Sequence, residues 1–353
     1  MHLSKCLHAS LPSLCLALSL ASLTSHAFTE GNYTYTVTDA KSTITAFNMS
    51  YSGPLSITNT LGGYPVTSIQ GAGFGHCDGL TVVTIPDSVT SLGSYAFSSC
   101  GGMTSVTIPN SVISIGNNAF QYCIKLPSIT IPASVTSIRG SVFNECRGLT
   151  AIAVDQANEV YASSNGVLFN KTTTTLITCP EGKTGAYTIP GSVTSIADGA
   201  FQACDSLTSV VIPGSITSIG YYAFLHCTGL TSVLFKGTPP SLGGYNTFSS
   251  TAATLYYLPT VASNWPSTFD YRPTRLWNPT VQCDADFGVL KDGFGFNIAG
   301  TPDIPVKVEA TTNLASGVWT SLTNTTLGAS GALQFTDPTS TNKPSRFYRI
   351  VWP

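Results

Sequence analysis

Apolar and polar positions along residues 80–148 repeat in one order. The consecutive 23-residue stretches "LTVVTIPDSVTSLGSYAFSSCGG", "MTSVTIPNSVISIGNNAFQYCIK" and "LPSITIPASVTSIRGSVFNECRG" share it almost position for position. The same order returns at 184–206 and 207–229, and a degenerate first copy spans about 55–79 with the extra residues "LGGYP". In the copy at 207–229, Val210 and Ile212 alternate with other positions, which predicts a short strand pointing both inward. Pro213 lacks an N–H and ends that ladder. Ile216 and Ile219 supply a second apolar pair, and Gly220 permits a tight bend. "YYAFLHC" then predicts a short helical turn that buries Ala223, Phe224 and Cys227.

One such coil cannot close a core by itself, whereas stacked coils can, each residue resting on its counterpart in the next. A fixed period in the range of 20–29 residues with this leucine spacing is the mark of a leucine-rich solenoid. Stacking predicts an internal column of Phe74, Phe97, Phe120, Phe143, Phe201 and Phe224. Beside it runs a column of Cys77, Cys100, Cys123, Cys146, Cys204 and Cys227. Coils about 4.8 Å apart fall inside the ~4.4–6.8 Å Cα range of disulfides, so distance excludes nothing. Parallel inward side chains do not converge as a disulfide requires, however, and buried free thiols are expected. Residues 149–183 break the period; "GVLFN" and "TLITCP" within them read as strands of a widened coil, with Cys179 outside the column.

The wording LTSVxIPxSVTSIGxxAFxxC resembles the BspA-like leucine-rich repeats of bacterial surface proteins, over roughly residues 55–279. The resemblance implies a right-handed solenoid with parallel strands and no catalysis. For several members it also implies a role as adhesin or surface antigen.

An open solenoid end exposes core and needs a cap. "NYTYTVTDAKSTITAF" alternates like a β-hairpin and serves at the N-terminal end. The aromatic and proline-rich residues 253–279 follow the last clear copy; they read as a closing module, or as rings on which a sugar could stack. From 280 on, "GFGFNIAG", "IPVKVEATTNL", "WTSLTNTTL", "ALQFTDP" and "RFYRIVW" are short alternating segments split by turn residues. They resemble a C-terminal domain common on exported bacterial proteins, of immunoglobulin or fibronectin-III form. The expected fold is thus mainly β, a solenoid followed by a small sandwich. Its units are a signal peptide at 1–27, an N-terminal cap at 28–54, the solenoid at 55–252, a C-terminal cap at 253–279 and the sandwich at 280–353.

Composition narrows the function classes. Charged residues make up 9% of the 353 and the net charge is -2, against about 25% charged in ordinary domains. There is no basic stripe for nucleic acid and no polybasic membrane patch. "LPSLCLALSLASL" followed by "SHA" reads as an export signal, too short to span a bilayer. No later segment is a membrane span. The expected product is secreted, periplasmic or on the cell surface.

Catalytic and metal chemistry need clusters, and none is visible. Beyond residue 28 the only histidines are His76 and His226, at opposite ends of the stack. Each precedes a column cysteine, where other copies carry Ser99, Tyr122, Glu145 and Ala203. Acids such as Asp87, Glu145, Asp198 and Asp205 are scattered. "DADFGVLKDG" lacks the glycine and terminal glutamate of a calcium loop and reads as a hairpin. The expectation is no enzyme, no cofactor and no metal.

What remains is a surface. The outward strand positions present Thr84, Thr107, Thr130 and Thr188, with Ser105, Ser128, Ser209 and Ser232 nearby. Ala153, Val211 and Leu234 break the array, which argues against ice binding. It either engages an extended ligand or only solvates the sheet, since Ser and Thr suit strands. The expected function is non-catalytic binding or adhesion by a monomer, with a protein or glycan surface ligand; the alternative is a carbohydrate-binding or cell-envelope structural module.

Overall fold

Pro132, Pro213 and their counterparts divide each coil into sides, and the structure, a computed structural model, shows three of them per coil. It describes residues 26–342 and 345–353, so the signal expected at 1–27 lies outside the described residues except for His26 and Ala27. The chain is mainly β, a solenoid of parallel strands, with no α-helix among the described residues.

The first side is the strand. Leu80–Thr84 pairs in parallel with Ser105–Thr107, Val83 opposite Val106. Ser128–Ile131 pairs with Ala151–Val154. Farther on, Gly185–Thr188, Leu207–Ile212, Ser232–Phe235, Thr254–Tyr257 and Arg272–Leu276 form one parallel run. The ladder is interrupted at Pro127. Thr104 N–H donates to the Thr81 carbonyl at 2.8 Å and Thr150 N–H to that of Pro127 at 2.9 Å. Pro127 has no N–H to give to Thr104. The second side is a Ser-aliphatic dipeptide. Ser91–Leu92, Ser114–Ile115 and Ser137–Ile138 pair in parallel, as do Ser195–Ile196, Ser218–Ile219 and Ser241–Leu242. The aliphatic residue points inward; Ile115 is wholly buried.

The third side corrects the expected helical turn. Tyr222 and His226 stand in the left-handed region, with φ of 55° and 60°, as do Tyr95 and Ser99 with 60° and 58°. A left-handed residue reverses the helical sense, so N–H groups point along the stack instead of back along their own segment. Phe97 N–H donates to Ala119 at 2.8 Å and Ser99 N–H to Gln121 at 2.7 Å, each in the next coil. Every side is therefore bonded between coils.

The phenylalanines stack as expected. Ring centroids lie 5.0 Å apart from Phe74 to Phe97, 5.6 Å from Phe97 to Phe120 and 6.1 Å from Phe120 to Phe143. Beyond the interruption, Phe201 and Phe224 are 4.7 Å apart, and Phe248 adds a further ring at 4.9 Å. Phe248 belongs to a coil the cysteine pattern hides, for Thr251 is buried near the cysteine position and its hydroxyl donates to the Phe248 carbonyl.

Between 149 and 183, Tyr161–Ser164, Val167–Asn170 and Thr175–Thr178 form an antiparallel meander. Its last strand rejoins the stack beside Ser195–Ile196. Cys179 takes the phenylalanine register there. Its N–H donates to Ala200 at 2.7 Å, as Phe201 N–H does to Ala223.

At the N-terminal end Ala27–Glu30, Tyr33–Thr38 and Lys41–Phe47 form an antiparallel sheet. Its third strand continues in parallel onto Tyr64–Ile69, and Phe47 covers Phe74 at 4.9 Å. At the other end Trp265 is buried between Phe235 and Tyr257, and its Nε1 donates to Gly237 at 3.0 Å. Asp270 ends the third side by accepting the N–H groups of Asn246 and Phe248 at 3.2 and 2.6 Å. Two small antiparallel sheets follow. One joins Thr280–Gln282, Gly288–Leu290, Gly293–Ala299 and Ala332–Asp337. The other sets Pro305–Thr311 between Thr320–Thr326 and Phe347–Val351. The stretch "DADFGVLKDG" makes a hairpin with Leu290 opposite Gly293. Phe296, Ile298, Val306 and Val308 fill the core between the sheets.

Candidate functional site

Strand pleating sends Val83, Val106 and Ile129 inward and their neighbours outward. Thr84 stands beside Thr107 and Val82 beside Ser105, and all four are exposed, Val82 as an apolar side chain at 42%. Ser128 and Thr130 continue the exposed face, with Thr130 beside Ala153. Thr188 is exposed too, beside Val211. None of these outward positions is charged.

From Val211 on, the same register turns apolar. Val211 stands beside Leu234, and Leu234 beside Tyr256. All three are buried, because the sandwich lies on them. They share one hydrophobic cluster with Phe296, Ile304, Val306 and Leu327. Trp352 meets Tyr256 edge-on at 5.1 Å and Trp277 at 5.8 Å. Trp277 Nε1 donates to Pro305 at 2.7 Å, and Arg275 pairs with Asp303 at 3.6 Å. The sandwich is thus seated on the strand face.

This seating corrects part of the expected ligand face. Ser209 is 6% exposed, and its hydroxyl donates to the Pro353 carbonyl at 3.3 Å. Ser232 is half-buried. Both line a cleft of about 630 Å³ where the face meets the sandwich, with Thr208 and Thr231 on one wall and Asn324 and Thr326 on the other. Sequence reasoning took Val211 and Leu234 as breaks in a polar array and missed the docking patch. The available signal was their register: threonine in four of five coils, with Ala153 the exception, then valine and leucine in two successive ones.

The cleft's one cation is Lys307, which pairs with Glu309 at 2.7 Å. Lys307 and Arg349 hold the Glu309 carboxyl below the usual carboxylate range. A second acid is unusual in the opposite sense. Glu181 is 8% exposed and burial pushes its carboxyl up to about 8. Its Oε1 accepts the Glu145 N–H at 2.7 Å, standing in for the next-coil carbonyl that serves Tyr122 at 3.0 Å. Its Oε2 is buried with no partner. His76 and His226 are exposed at opposite ends. Among the described residues no group of three or more His, Cys, Asp or Glu could hold a metal ion. No described helix is long and apolar enough to cross a membrane.

The BspA type leucine-rich repeat region matches residues 47–175 and 182–269, in six copies. Comparison with curated proteins gives no match. Similar solved structures include a leucine-rich repeat protein from Eubacterium ventriosum, 26% identical over 66% of this chain and 72% of that one, with a TM-score of 0.46. The pneumococcal vaccine antigen PcpA is 18% identical over 66% and 82%, with a TM-score of 0.44. A leucine-rich cell surface protein from Faecalibacterium prausnitzii is 24% identical over 68% and 91%, with a TM-score of 0.36.

Proposed function

Since the chain belongs to the BspA-type leucine-rich repeat family, we propose that it is an exported, non-catalytic binding protein of the cell surface that engages a macromolecular partner through the open part of its strand face. The observation that carries this is the division of one surface column. Its apolar half, Val211 to Tyr256, is covered by the chain's own sandwich, while Thr84, Thr107, Thr130 and Thr188 stay uncovered and uncharged. A broad, shallow, repetitive face suits a large ligand that touches several coils, each adding a modest increment. Export is supported by the short apolar run and "SHA" at the N-terminus. A face without charge binds with little dependence on salt, and many copies on one surface supply avidity.

The test uses the full chain against matrix proteins and cell-envelope fractions. Thr107→Arg with Thr130→Arg should abolish capture, while Asp87→Arg, off the face, should not. Capture indifferent to the threonine changes, or turnover of any substrate, overturns the reading.

A further inference from the structure

Four tyrosines on the turn side of the last coils face solvent, and none of their rings packs into the hydrophobic core. Tyr221, Tyr222, Tyr245 and Tyr271 are 39%, 41%, 71% and 80% exposed. The nearby rings of Tyr257, Trp265 and Phe269 do the opposite, packing on the core as the solenoid's cap. The aromatic residues of the last coils and of the segment at 253–279 therefore fall into two populations, and only the inward one is explained by capping. The register of Tyr222 is filled by Ala72, Tyr95, Asn118, Ser141, Gly199 and Asn246 in other coils, all with positive φ, so a lone exposed tyrosine recurs there once and only the last coils gather several. Tyr271 also holds a left-handed φ, of 60°, which costs a side-chain-bearing residue about 1–2 kcal/mol.

Two of these rings touch, and the other two border one groove. Tyr221 and Tyr222 meet edge-on at 4.8 Å. The Tyr221 ring lies on Gly244, where an added Cβ would come within 2.0 Å of it. Gly244 is thus fixed by the ring above it, and Tyr245 follows it in the chain. Tyr245 and Tyr271 then border a groove of about 560 Å³ whose other walls are Leu242, Gly244, Thr268 and Asp270. That volume lies in the ordinary range for a small ligand.

Charge selects the ligand. The one ionisable acid in the groove is Asp270, and both its oxygens already accept backbone N–H groups. No cationic side chain lines it. A phosphate, sulfate or uronate would find no counter-charge, and a peptide no unpaired charge to fix its direction. The apolar face of a pyranose ring carries partly positive C–H groups, which match the negative face of an aromatic ring. We propose that this groove binds a neutral glycan, with sugar rings stacked on Tyr245 and Tyr271 and sugar hydroxyls bonded to Thr268 and the tyrosine hydroxyls. The groove is on the turn side, away from the strand face, so this site and that one stand or fall separately.

The experiment is affinity electrophoresis of the full chain through soluble glucan, mannan, galactan and xylan at low and high salt. A sulfated polysaccharide and a proline-rich peptide serve as comparison arms. At least one neutral polysaccharide should retard the protein equally at both salts. Tyr245→Ala and Tyr271→Ala should each weaken binding about tenfold, Tyr245→Phe and Tyr271→Phe should largely preserve it, and Tyr95→Ala should leave it unchanged. Failure of every neutral polysaccharide to bind, alanine variants that bind like the parent, or retention by the sulfated polymer or the peptide alone overturns the proposal.

Discussion

The Sγ of Cys123 donates to the carbonyl oxygen of Phe97, 3.3 Å away in the preceding coil. The same bond joins Cys100 to Phe74 at 3.0 Å, Cys146 to Phe120 at 2.9 Å and Cys227 to Phe201 at 2.9 Å. Each of these carbonyls also accepts the N–H of the cysteine in its own coil, at 3.1–3.4 Å. Cysteine suits the position because it is small and apolar enough for the core yet still carries a donor. All eight cysteines of the described residues are free thiols, seven of them buried.

Burial pushes the thiol of Cys77 up to about 11 and that of Cys227 up to about 12. Thiol titration of the native protein near pH 8 should find Cys283, which is exposed, reacting fast and the column unreactive until denaturant is added. The sign for stability follows. Above about pH 9 the unfolded thiols lose protons that the folded ones keep, so the unfolded state binds fewer protons and stability falls as pH rises. Melting temperatures that hold steady from pH 8 to about pH 11 would contradict the burial of these thiols.

Phe120 is wholly buried between the rings of Phe97 and Phe143. Phe120→Ala should destabilise the solenoid by about 3–5 kcal/mol, read from denaturant midpoints. A loss under roughly 0.5 kcal/mol, the size of an ordinary surface change, would mean the column does not bear on stability.

Glu181 gives a pH dependence of its own. Its carboxyl titrates near 8 in the fold, against about 4.5 in the unfolded chain. Between those values the folded state binds the extra proton, so stability is greatest at low pH and declines as pH climbs toward 8. Glu181→Gln keeps an acceptor for Glu145 N–H, supplies a donor in place of the orphaned oxygen and removes the charge. It should raise stability at pH 8 by roughly 2–4 kcal/mol and flatten the slope between pH 5 and pH 8. An unchanged slope would place the titration elsewhere.

The repeat was legible because the side chains that stack are the ones the period repeats. Phe97 and Phe120 occupy one register, as do Cys100 and Cys123, and each register becomes a column. The third side was not legible. "SYAFSSC" carries no glycine at Tyr95 or Ser99 to announce a left-handed residue, and the bonds that hold those residues come from the next coil. The coil around Phe248 was hidden because threonine replaces cysteine, so a pattern anchored on cysteine ends one coil early. The open and covered halves of the strand face differ in one register, which holds threonine or the small Ala153 where it is open and Val211, Leu234 and Tyr256 where it is covered. Reading that difference as docking requires knowing that the sandwich folds back onto it.

Leu234 is 1% exposed beneath the sandwich. Leu234→Asp would bury an unpaired charge there, at a cost of several kcal/mol, and should release the sandwich while the coils stay folded. Trp277 and Trp352 lie at this contact, so tryptophan emission should shift to longer wavelength and protease should cut between the last coil and residue 280. Unchanged emission and resistance to protease would show that the contact does not hold the sandwich.

Deletion of 280–353 should not yield a clean binding fragment, because it strips the cover from Val211, Leu234 and Tyr256. Three large apolar side chains in adjacent coils, in register, make a patch of the kind that drives association. The shortened chain should therefore self-associate, and it should capture many proteins without selectivity. Val211→Thr, Leu234→Thr and Tyr256→Thr together give this register the residue that Thr84, Thr107, Thr130 and Thr188 already supply in other coils. Threonine is a good strand residue, and these three positions point away from the solenoid core toward the sandwich. The triple variant of the shortened chain should be monodisperse by light scattering and melt like the solenoid in the full chain. A shortened chain that is monodisperse without these changes would mean the patch does not need its cover.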